Sequence, residues 1–533
     1  VSADERTNVL SILSEVARRH PDRPALVMEG ETPEDTRERT ISFSGLRERS
    51  DRASAGLRRR GLKPGDRAIV MIPMSIELYV AMLALLDLGA VAVFVDPWVG
   101  WRQIAAFAAF AEPAAWLGIP RSHVLRLLDG RLRRVPLTVT TGRRLGPLPA
   151  RATLAELEES PGDGAVWPVS PDDPALITFT SGSSGEPKGA NRTHGFLLAQ
   201  HRALAAEFPC LEGDVGDVDM PMFPVFALNN LATGVPSIVP AMDFRRVDRV
   251  DAARVLRQME RHRVTTCTAS PPFFDRIAAE LERRPEARPA LRRLLTGGAP
   301  VSDAQLRAWR RALPDTEIVV AYGSTEAEPV AHVTAEERLA LTGPGFCAGR
   351  PIDRVRTRVV WEGRDLPPGE IGELLVTGAH VCKDYYRNPG AVRENKVVDA
   401  DGTVWHRMGD TGSFDSEGRF WIAGRVHSTI RRAGALVHPQ LVEQAARGDD
   451  PRIRRLAAVG LPDSELGERV VLVVETVETE ETGAGLEREI QERGAAAGFP
   501  LDEIRLTREP LPVDPRHNSK IDYGKLRERL KAS

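Results

Sequence analysis

Apolar positions in the N-terminal half of the chain alternate between two periods. Ala68–Ile72 is a short β-rich run, Ser75–Leu88 carries apolar residues at helical spacing, and Val91–Val95 is apolar and β-branched again. A strand, helix, strand succession of this kind predicts parallel strands with helices on both faces of the sheet. The same alternation predicts a helix over Asp248–Arg261, a strand over Val264–Ala269, a helix over Phe273–Glu282 and a strand over Ile318–Ala321. Pro161–Pro174, rich in Pro, Gly and Asp, reads as a surface stretch. From about Asp353 the strands shorten and turn residues multiply, as in Trp361–Gly369 and Phe414–Trp421, which predicts an antiparallel or barrel-like subdomain. No internal repeat interrupts this order. The predicted fold class is α/β, in two parts. Residues 1–424 form a large domain with helix-covered parallel sheets plus a β-barrel-like subdomain, and residues 425–533 form a small α+β C-terminal domain.

A length of 533 residues suits more than one domain. With 42% hydrophobic and 28% charged residues, the chain reads as an ordinary globular protein. Its 72 basic and 75 acidic side chains leave a net charge of −3, which offers no overall field to nucleic acid or an anionic membrane. Only 7 of the basic residues are lysines, so a lysine inside a motif stands out. Asp4, Glu5, Arg6 and Glu15 break any signal-peptide core between Val1 and Arg19. The most apolar stretch, Ala68–Val95, is interrupted by Pro73, Glu77, Asp87 and Gly89, and it falls short of the ~20 apolar residues a spanning helix needs. Cys210, Cys267, Cys347 and Cys382 lack metal-type spacing and read as unpaired thiols of a cytoplasmic protein.

The clearest chemistry follows the apolar run Ala175–Phe179. Thr180, Ser181, Gly182, Ser183, Ser184 and Gly185 form a loop of two glycines and four hydroxyl residues, followed by Glu186, Pro187, Lys188 and Gly189. Backbone N–H and side-chain O–H donors in such a loop can wrap a nucleotide's terminal phosphates, and Lys188 adds a point charge. The spacing differs from Gly-x-x-x-x-Gly-Lys-Ser/Thr. A Gly/Ser surface linker is the alternative reading.

This string resembles the phosphate loop of the adenylate-forming superfamily, which includes acyl-CoA ligases, peptide-synthetase adenylation domains and luciferases. Further strings follow in that family's order. Gly297-Gly298-Ala299-Pro300 resembles its adenine-contacting turn, and Tyr322-Gly323-Ser324-Thr325-Glu326 its second nucleotide motif. Gly409-Asp410 resembles the ribose aspartate, Gly424-Arg425 the ribose-contacting arginine before a hinge, and Arg516–Asp522 the segment with the adenylation lysine, Lys520. The resemblance implies ATP and Mg²⁺ as cofactors, with the metal at Thr180 and Glu326. It implies Tyr322 near adenine, Thr325 at the α-phosphate, and Lys520, Thr180 and Glu326 as catalytic residues. It also implies a C-terminal domain that swings about a hinge near Arg425–His427. Taken alone, Asp410 reads as a turn residue, Glu326 as a helix-start acid and Lys520 as a tail lysine. Their ordered co-occurrence selects the other reading. The chemistry agrees, because a carboxylate attacking an α-phosphate brings anions together and needs such cationic and donor groups.

The acceptor in the second step decides the product. Arg431-Arg432-Ala433-Gly434-Ala435 resembles the region that lines the pantetheine tunnel of thioester-forming members, so an acyl-CoA ligase using CoA stays open. A simple strand–turn element is the plainer reading. Other strings depart from that pattern. The usual Pro-aromatic-aromatic-His becomes Phe223-Pro224-Val225-Phe226-Ala227-Leu228, with Ala227 in the His slot, and the lysine segment reads Asn518-Ser519-Lys520. With Phe94–Pro97, Trp116–His123 and Val239–Asp243, these resemble the β-lactone synthetases of bacterial olefin and β-lactone biosynthesis. The resemblance implies adenylation of a hydrophobic 2-alkyl-3-hydroxy fatty acid, then attack by its own 3-hydroxyl to close the ring and release AMP. A tethered nucleophile suits this step, since good orientation is worth ~7–11 kcal/mol of barrier. His194 and His517 are candidate proton acceptors, with His194 taken as catalytic. Phe223–Leu231 and Thr265–Phe274 are candidate walls of the acyl pocket. The expected partner is a small-molecule carboxylic acid, with association to enzymes of the same pathway left open and no nucleic acid. A catalytically silent nucleotide-binding scaffold is the third reading.

Overall fold

A computed structural model describes residues 8–30, 37–95, 100–144, 149–180, 187–211, 216–244, 246–448, 450–477, 483–513 and 521–532. The predicted unit near the N-terminus is present. Strands Arg67–Met71 and Val91–Val95 pair in parallel, with helix Ile76–Leu88 between them. Ser75 starts that helix by accepting from the Leu78 N–H, and Gly89 ends it at φ +72°, a left-handed conformation that favours glycine. All but one of its residues are buried, as a helix apolar all round requires. The reason is its position. It shares one core with helix Phe43–Arg59, with Ala68, Ala92 and Leu117 of one sheet, and with Leu26, Met28 and Val239 of another, so helices fill a layer between two sheets.

The first sheet runs through seven strands. Ala152–Thr153, Leu137–Thr140, Ala115–Gly118, Arg67–Met71, Val91–Val95 and Pro174–Thr180 are mutually parallel, and Lys188–Thr193 closes the edge as an antiparallel return. In the second, Pro24–Met28, Ser237–Val239, Asp219–Pro221, Thr266–Ala269, Arg293–Gly297 and Glu317–Ser324 lie parallel. Beyond Glu317–Ser324 the same sheet turns antiparallel through Ala327–Thr334, Phe346–Pro351, Phe420–Arg425, Val404–Phe414, Gly372–Thr377 and Arg356–Trp361. The change of pattern expected near Asp353 comes earlier, at Ala327–Thr334, and the antiparallel strands continue the same sheet.

Some boundaries differ from the expectation. The helix expected over Asp248–Arg261 is a 3-10 turn, Val247–Arg249, and a helix, Ala252–Arg261, because the Asp251 side chain accepts from the Arg254 N–H and starts the helix there. The strand expected from Val264 starts at Thr266, since the Val264 N–H still bonds the Met259 carbonyl at the helix end. The next helix begins two residues early, at Pro271, where a first-turn proline loses no hydrogen bond.

After Arg425 comes a 3-10 turn, Val426–Ser428, and then a separate five-stranded sheet: Ile430–Arg432, Ala435–Val437, Ile453–Asp463, Gly467–Thr476 and Glu503–Thr507. Two apolar cores cover its faces, one around Ile430, Leu472 and Leu486 and one around Ala457, Val471 and Leu526. Its contacts with the rest of the chain include Arg431 over the Trp361 ring and those of helix Pro439–Arg447. Gln444 Oε1 accepts from the Gly345 N–H at 2.7 Å, and His438 Nδ1 lies 3.2 Å from Thr411 Oγ1. All four cysteines are free thiols. Among the described residues, no helix is long and apolar enough to cross a membrane.

Candidate active site

Three of the candidate nucleotide motifs sit at the C-terminal ends of parallel strands, where open α/β sheets bind ligands. Strand Pro174–Thr180 delivers the phosphate loop, and Thr180 pairs in register with Lys188 on the returning strand. Strand Arg293–Gly297 ends against its neighbour at the Gly297↔Ala321 pair. A Cβ at Gly297 would stand 2.4 Å from the Ala321 carbonyl oxygen, so only glycine permits this approach. The chain then leaves through Gly298, at φ +78°, into Ala299 and Pro300.

Sheet register, more than sequence spacing, assembles the rest. Asp410 and Arg425 face each other across neighbouring antiparallel strands, with Oδ1 3.0 Å from the guanidinium. The Tyr322 hydroxyl donates to Asp410 Oδ2 at 2.7 Å. Burial, reinforced by the Asp410 charge, pushes the Tyr322 phenol well above its ordinary value, so it stays a donor. The Arg425 guanidinium also donates to the Met408 carbonyl at 2.9 Å. An ionised carboxylate has about four lone-pair sites, so Asp410 keeps acceptor capacity for ribose hydroxyls.

Thr325 and Glu326 form the tight turn between strands Glu317–Ser324 and Ala327–Thr334, closed by the Ser324↔Ala327 pair. Gly323 and Ser324 precede it, and Ser324 Oγ accepts from the Glu326 N–H at 3.3 Å. Buried Arg192 holds the turn from the other side, donating from Nε and Nη2 to the Thr325 carbonyl at 3.1 and 2.8 Å. These two bonds tie strand Lys188–Thr193 to the turn. Glu326 Oε1 accepts from the Tyr385 hydroxyl at 3.0 Å. Behind it, buried Lys396 bonds the Cys382 carbonyl, lies 3.2 Å from His406 Nδ1, and has its ammonium 5.1 Å from the Tyr385 ring centre. Burial alone would raise the Glu326 carboxyl. The His406 and Lys396 charges and the Tyr385 bond outweigh it and hold Glu326 below its ordinary value. Burial holds His406 at about 4 and also lowers the Lys396 ammonium from its ordinary value, against the raising effect of the Cys382, Glu326 and Asp384 charges.

Among the described residues, no three His, Cys, Asp or Glu side chains cluster as a metal cage. Mg²⁺ needs none, because it is usually held by one or two carboxylates together with substrate phosphates. An ionised Glu326 fits that donor set.

Not every expected residue joins this site. Lys188 is paired instead with Glu394, its ammonium 3.1 Å from that carboxylate. The Thr180 side chain, Ser181, Gly182, Ser183, Ser184, Gly185, His517 and Lys520 lie outside the described residues. The expectation for His194 is corrected. It is fully buried, its Nδ1 accepts from the Val9 N–H at 3.3 Å, and burial lowers it to about 4. It follows Thr193, which ends strand Lys188–Thr193 remote from the candidate phosphate loop and lies about 17 Å from Lys188 at ~3.4 Å per residue. It anchors the N-terminal segment instead. Phe273 and Phe274 are likewise packed core, Phe274 against Trp309, not an open acyl wall. Val225 and Leu228 do line an apolar crevice, together with Leu13, Leu83 and Leu204. The sequence reading missed Arg192, Tyr385, Lys396 and His406. The scarcity of lysine was the one available pointer to Lys396.

The chain matches the family model described as AMP-binding enzyme over residues 13–386. It is 35% identical to an olefin β-lactone synthetase from Stenotrophomonas maltophilia over 548 aligned positions that cover 97% of each chain. It is 30% identical to a feruloyl-CoA synthase from an Amycolatopsis species, covering 80% of this chain and 82% of that one. In fold it is similar to ATP-bound MatB from Rhodopseudomonas palustris, with a TM-score of 0.82 at 23% identity, covering 98% of this chain and 99% of that one.

Proposed function

Because this chain belongs to the AMP-binding enzyme family, whose members activate acids as adenylates, we propose that its acid is a long-chain 2-alkyl-3-hydroxy fatty acid and its product the β-lactone. The observation that carries this reading is the end-to-end likeness to an olefin β-lactone synthetase, 97% of both chains at 35% identity. In the first step a substrate carboxylate oxygen attacks the α-phosphorus of ATP and the bond to pyrophosphate breaks. Asp410 and Arg425 hold the ribose, Thr325 meets the α-phosphate, and the loop donors with Lys188 and Lys520 offset the charge of the leaving pyrophosphate. Mg²⁺, when bound at Glu326 and Thr180, supplies further neutralisation of phosphate charge. In the second step the 3-hydroxyl oxygen attacks the acyl carbon and the bond to AMP breaks. The products are lactone, AMP and one proton.

We assign residues 1–424 to the nucleotide- and acyl-binding domain and 425–533 to a domain that turns about Arg425–His427. Two observations support a thiol-free second step. Ala227, in the slot of the family's histidine, is fully buried. Arg431–Ala435 is a tight hairpin of strands Ile430–Arg432 and Ala435–Val437, with Ala433 and Gly434 both at positive φ, the simple element that needs no tunnel role. The second reading, thioester formation with CoA, is favoured by the 30% identity to a feruloyl-CoA synthase. A product assay decides. Protein, ATP, Mg²⁺ and a racemic 2-alkyl-3-hydroxy long-chain acid are incubated with and without CoA and read by mass spectrometry. Dehydrated acid and AMP without CoA support the lactone. Product at thioester mass only with CoA replaces it, and absence of ATP-dependent pyrophosphate release with any acid would indicate a silent scaffold.

A further inference from the structure

Strand Ala115–Gly118 leads into a 3-10 helix of eight residues, Pro120–Leu127. Such helices seldom exceed 3–4 residues, and their side chains eclipse at i and i+3. Burial follows that period closely. Ser122, His123, Leu125 and Arg126 are buried, while Arg121, Val124 and Leu127 are exposed. The inward positions have packing reasons. Leu125 joins a core with Ile104, Phe107 and Leu132, Trp116 Nε1 donates to Ser122 Oγ at 3.2 Å, and Arg126 lies 3.3 Å from His123 Nδ1.

The outward stripe has no such reason. Val124, Leu127 and Leu128 are 38%, 38% and 50% exposed. They are three of the seven exposed large apolar side chains among the described residues, gathered within five positions. The short helix Gly130–Arg133 then buries Leu132 and leaves Arg131, Arg133 and the following Arg134 exposed. The one acid between Arg121 and Arg134 is Asp129, and it is paired with Arg131 at 2.8 Å. Among the described residues, Arg121, Arg133 and Arg134 form no ion pair, and Arg133 donates to the Leu127 carbonyl at 3.2 Å. A chain with net charge −3 thus carries a local face that is cationic and apolar together.

We propose that this face docks on an anionic lipid bilayer. Val124, Leu127 and Leu128 enter the headgroup boundary, and Arg121, Arg133 and Arg134 meet lipid phosphates. Charge complementarity selects this occupant. Three apolar side chains are also far too few for a stable protein interface of about 800 Å² per partner, yet they suffice to assist electrostatic attraction to a surface. The placement has a consequence for function. The 3-10 helix leaves the same sheet edge as the phosphate loop. Only strands Arg67–Met71 and Val91–Val95 separate the two parent strands, a lateral distance of about 14 Å at ~4.8 Å per strand. A water-insoluble acid taken from the bilayer would have a short path to that edge. The docking itself stands independently of the proposed reaction.

Vesicle co-sedimentation of the full chain tests it, using phosphatidylcholine with and without phosphatidylglycerol. Binding is expected only with phosphatidylglycerol and should weaken as salt rises. Replacing Arg121, Arg133 and Arg134 together by Gln should lower it roughly a hundredfold, at about fivefold per arginine. Leu127→Ser with Leu128→Ser should lower binding with the salt dependence unchanged. A control with Arg52, Arg310 and Arg488 replaced by Gln should bind as the parent does. The proposal is overturned if the parent ignores phosphatidylglycerol at low salt, or if the control loses as much as the arginine triple. It is also overturned if the chain self-associates through the stripe, with the leucine pair abolishing that association in place of vesicle binding.

Discussion

Tyr322→Phe isolates one atom of the proposed nucleotide site. The phenol donates to Asp410 Oδ2 at 2.7 Å, while Arg425 holds Oδ1 at 3.0 Å. Phenylalanine keeps the ring, which packs 6.2 Å from Phe420, and removes only the hydroxyl. A hydrogen bond to a charged group is worth about 1.5–3 kcal/mol, or about 10- to 150-fold in affinity if all of it reached the ligand. Arg425 still orients the carboxylate, so only part of this is lost, and KM for ATP should rise about 3- to 10-fold. If Asp410 grips the ribose equally in ground and transition states, kcat should stay within about twofold. The assay is pyrophosphate release against ATP concentration at saturating acid, with calorimetric ATP binding alongside. An unchanged KM in a folded variant refutes the claim that Tyr322 sets the Asp410 geometry. A collapse of kcat at constant KM would instead put the contact in the transition state.

Other expectations follow from the same geometry. Gly297→Ala forces a methyl to within 2.4 Å of the Ala321 carbonyl and should destabilise by about 1–3 kcal/mol, read as a lower thermal midpoint. His123, His194, His406 and His438 are each lowered to about 4, chiefly by burial. Between an unfolded pKa near ~6.5 and that value the unfolded chain binds protons the folded one refuses, so stability is present above ~6.5 and lost as pH falls toward 4. His194→Asn should make the urea midpoint fall about one proton less steeply across this window and should leave pyrophosphate release near parental; a hundredfold loss of release would restore His194 as catalytic. Lys520→Ala should abolish acyl-AMP formation and keep ATP binding, so normal acyl-AMP in that variant would remove the role given to Lys520.

What the sequence disclosed and what it hid divide along a physical line. The parallel unit of Arg67–Val95 was legible because Ser75–Leu88 carries apolar residues at helical spacing between two β-rich runs, and the structure adds Ser75 and Gly89 as its start and stop. Glu326 and Asp410 were legible because each lies in a contiguous string that resembles a known motif. The residues that surround Glu326 were not, since their proximity is a fact of register. Lys396 and His406 are cross-strand partners, and Tyr385 reaches the site through an isolated bridge to Ala190. No spacing rule along the chain encodes such pairs. His194 shows the converse error. It stands six residues from Lys188 in sequence, yet an extended strand converts that closeness into nearly the full length of a hairpin arm.

The sum of charges hid the stripe on Pro120–Leu127 for a related reason. A net of −3 describes a field seen from far away. Attraction to a surface depends on which charges share a face, and within a Debye length of about 8–10 Å the local arrangement outweighs the total. In a 3-10 helix that face is set by a period of three, so Arg121, Val124 and Leu127 align while buried Arg126 does not. The sequence held the letters of that stripe. The conformation that gives them a common direction depends on Leu125 and Leu132 packing against helix Trp101–Phe110, contacts made with residues outside the segment itself.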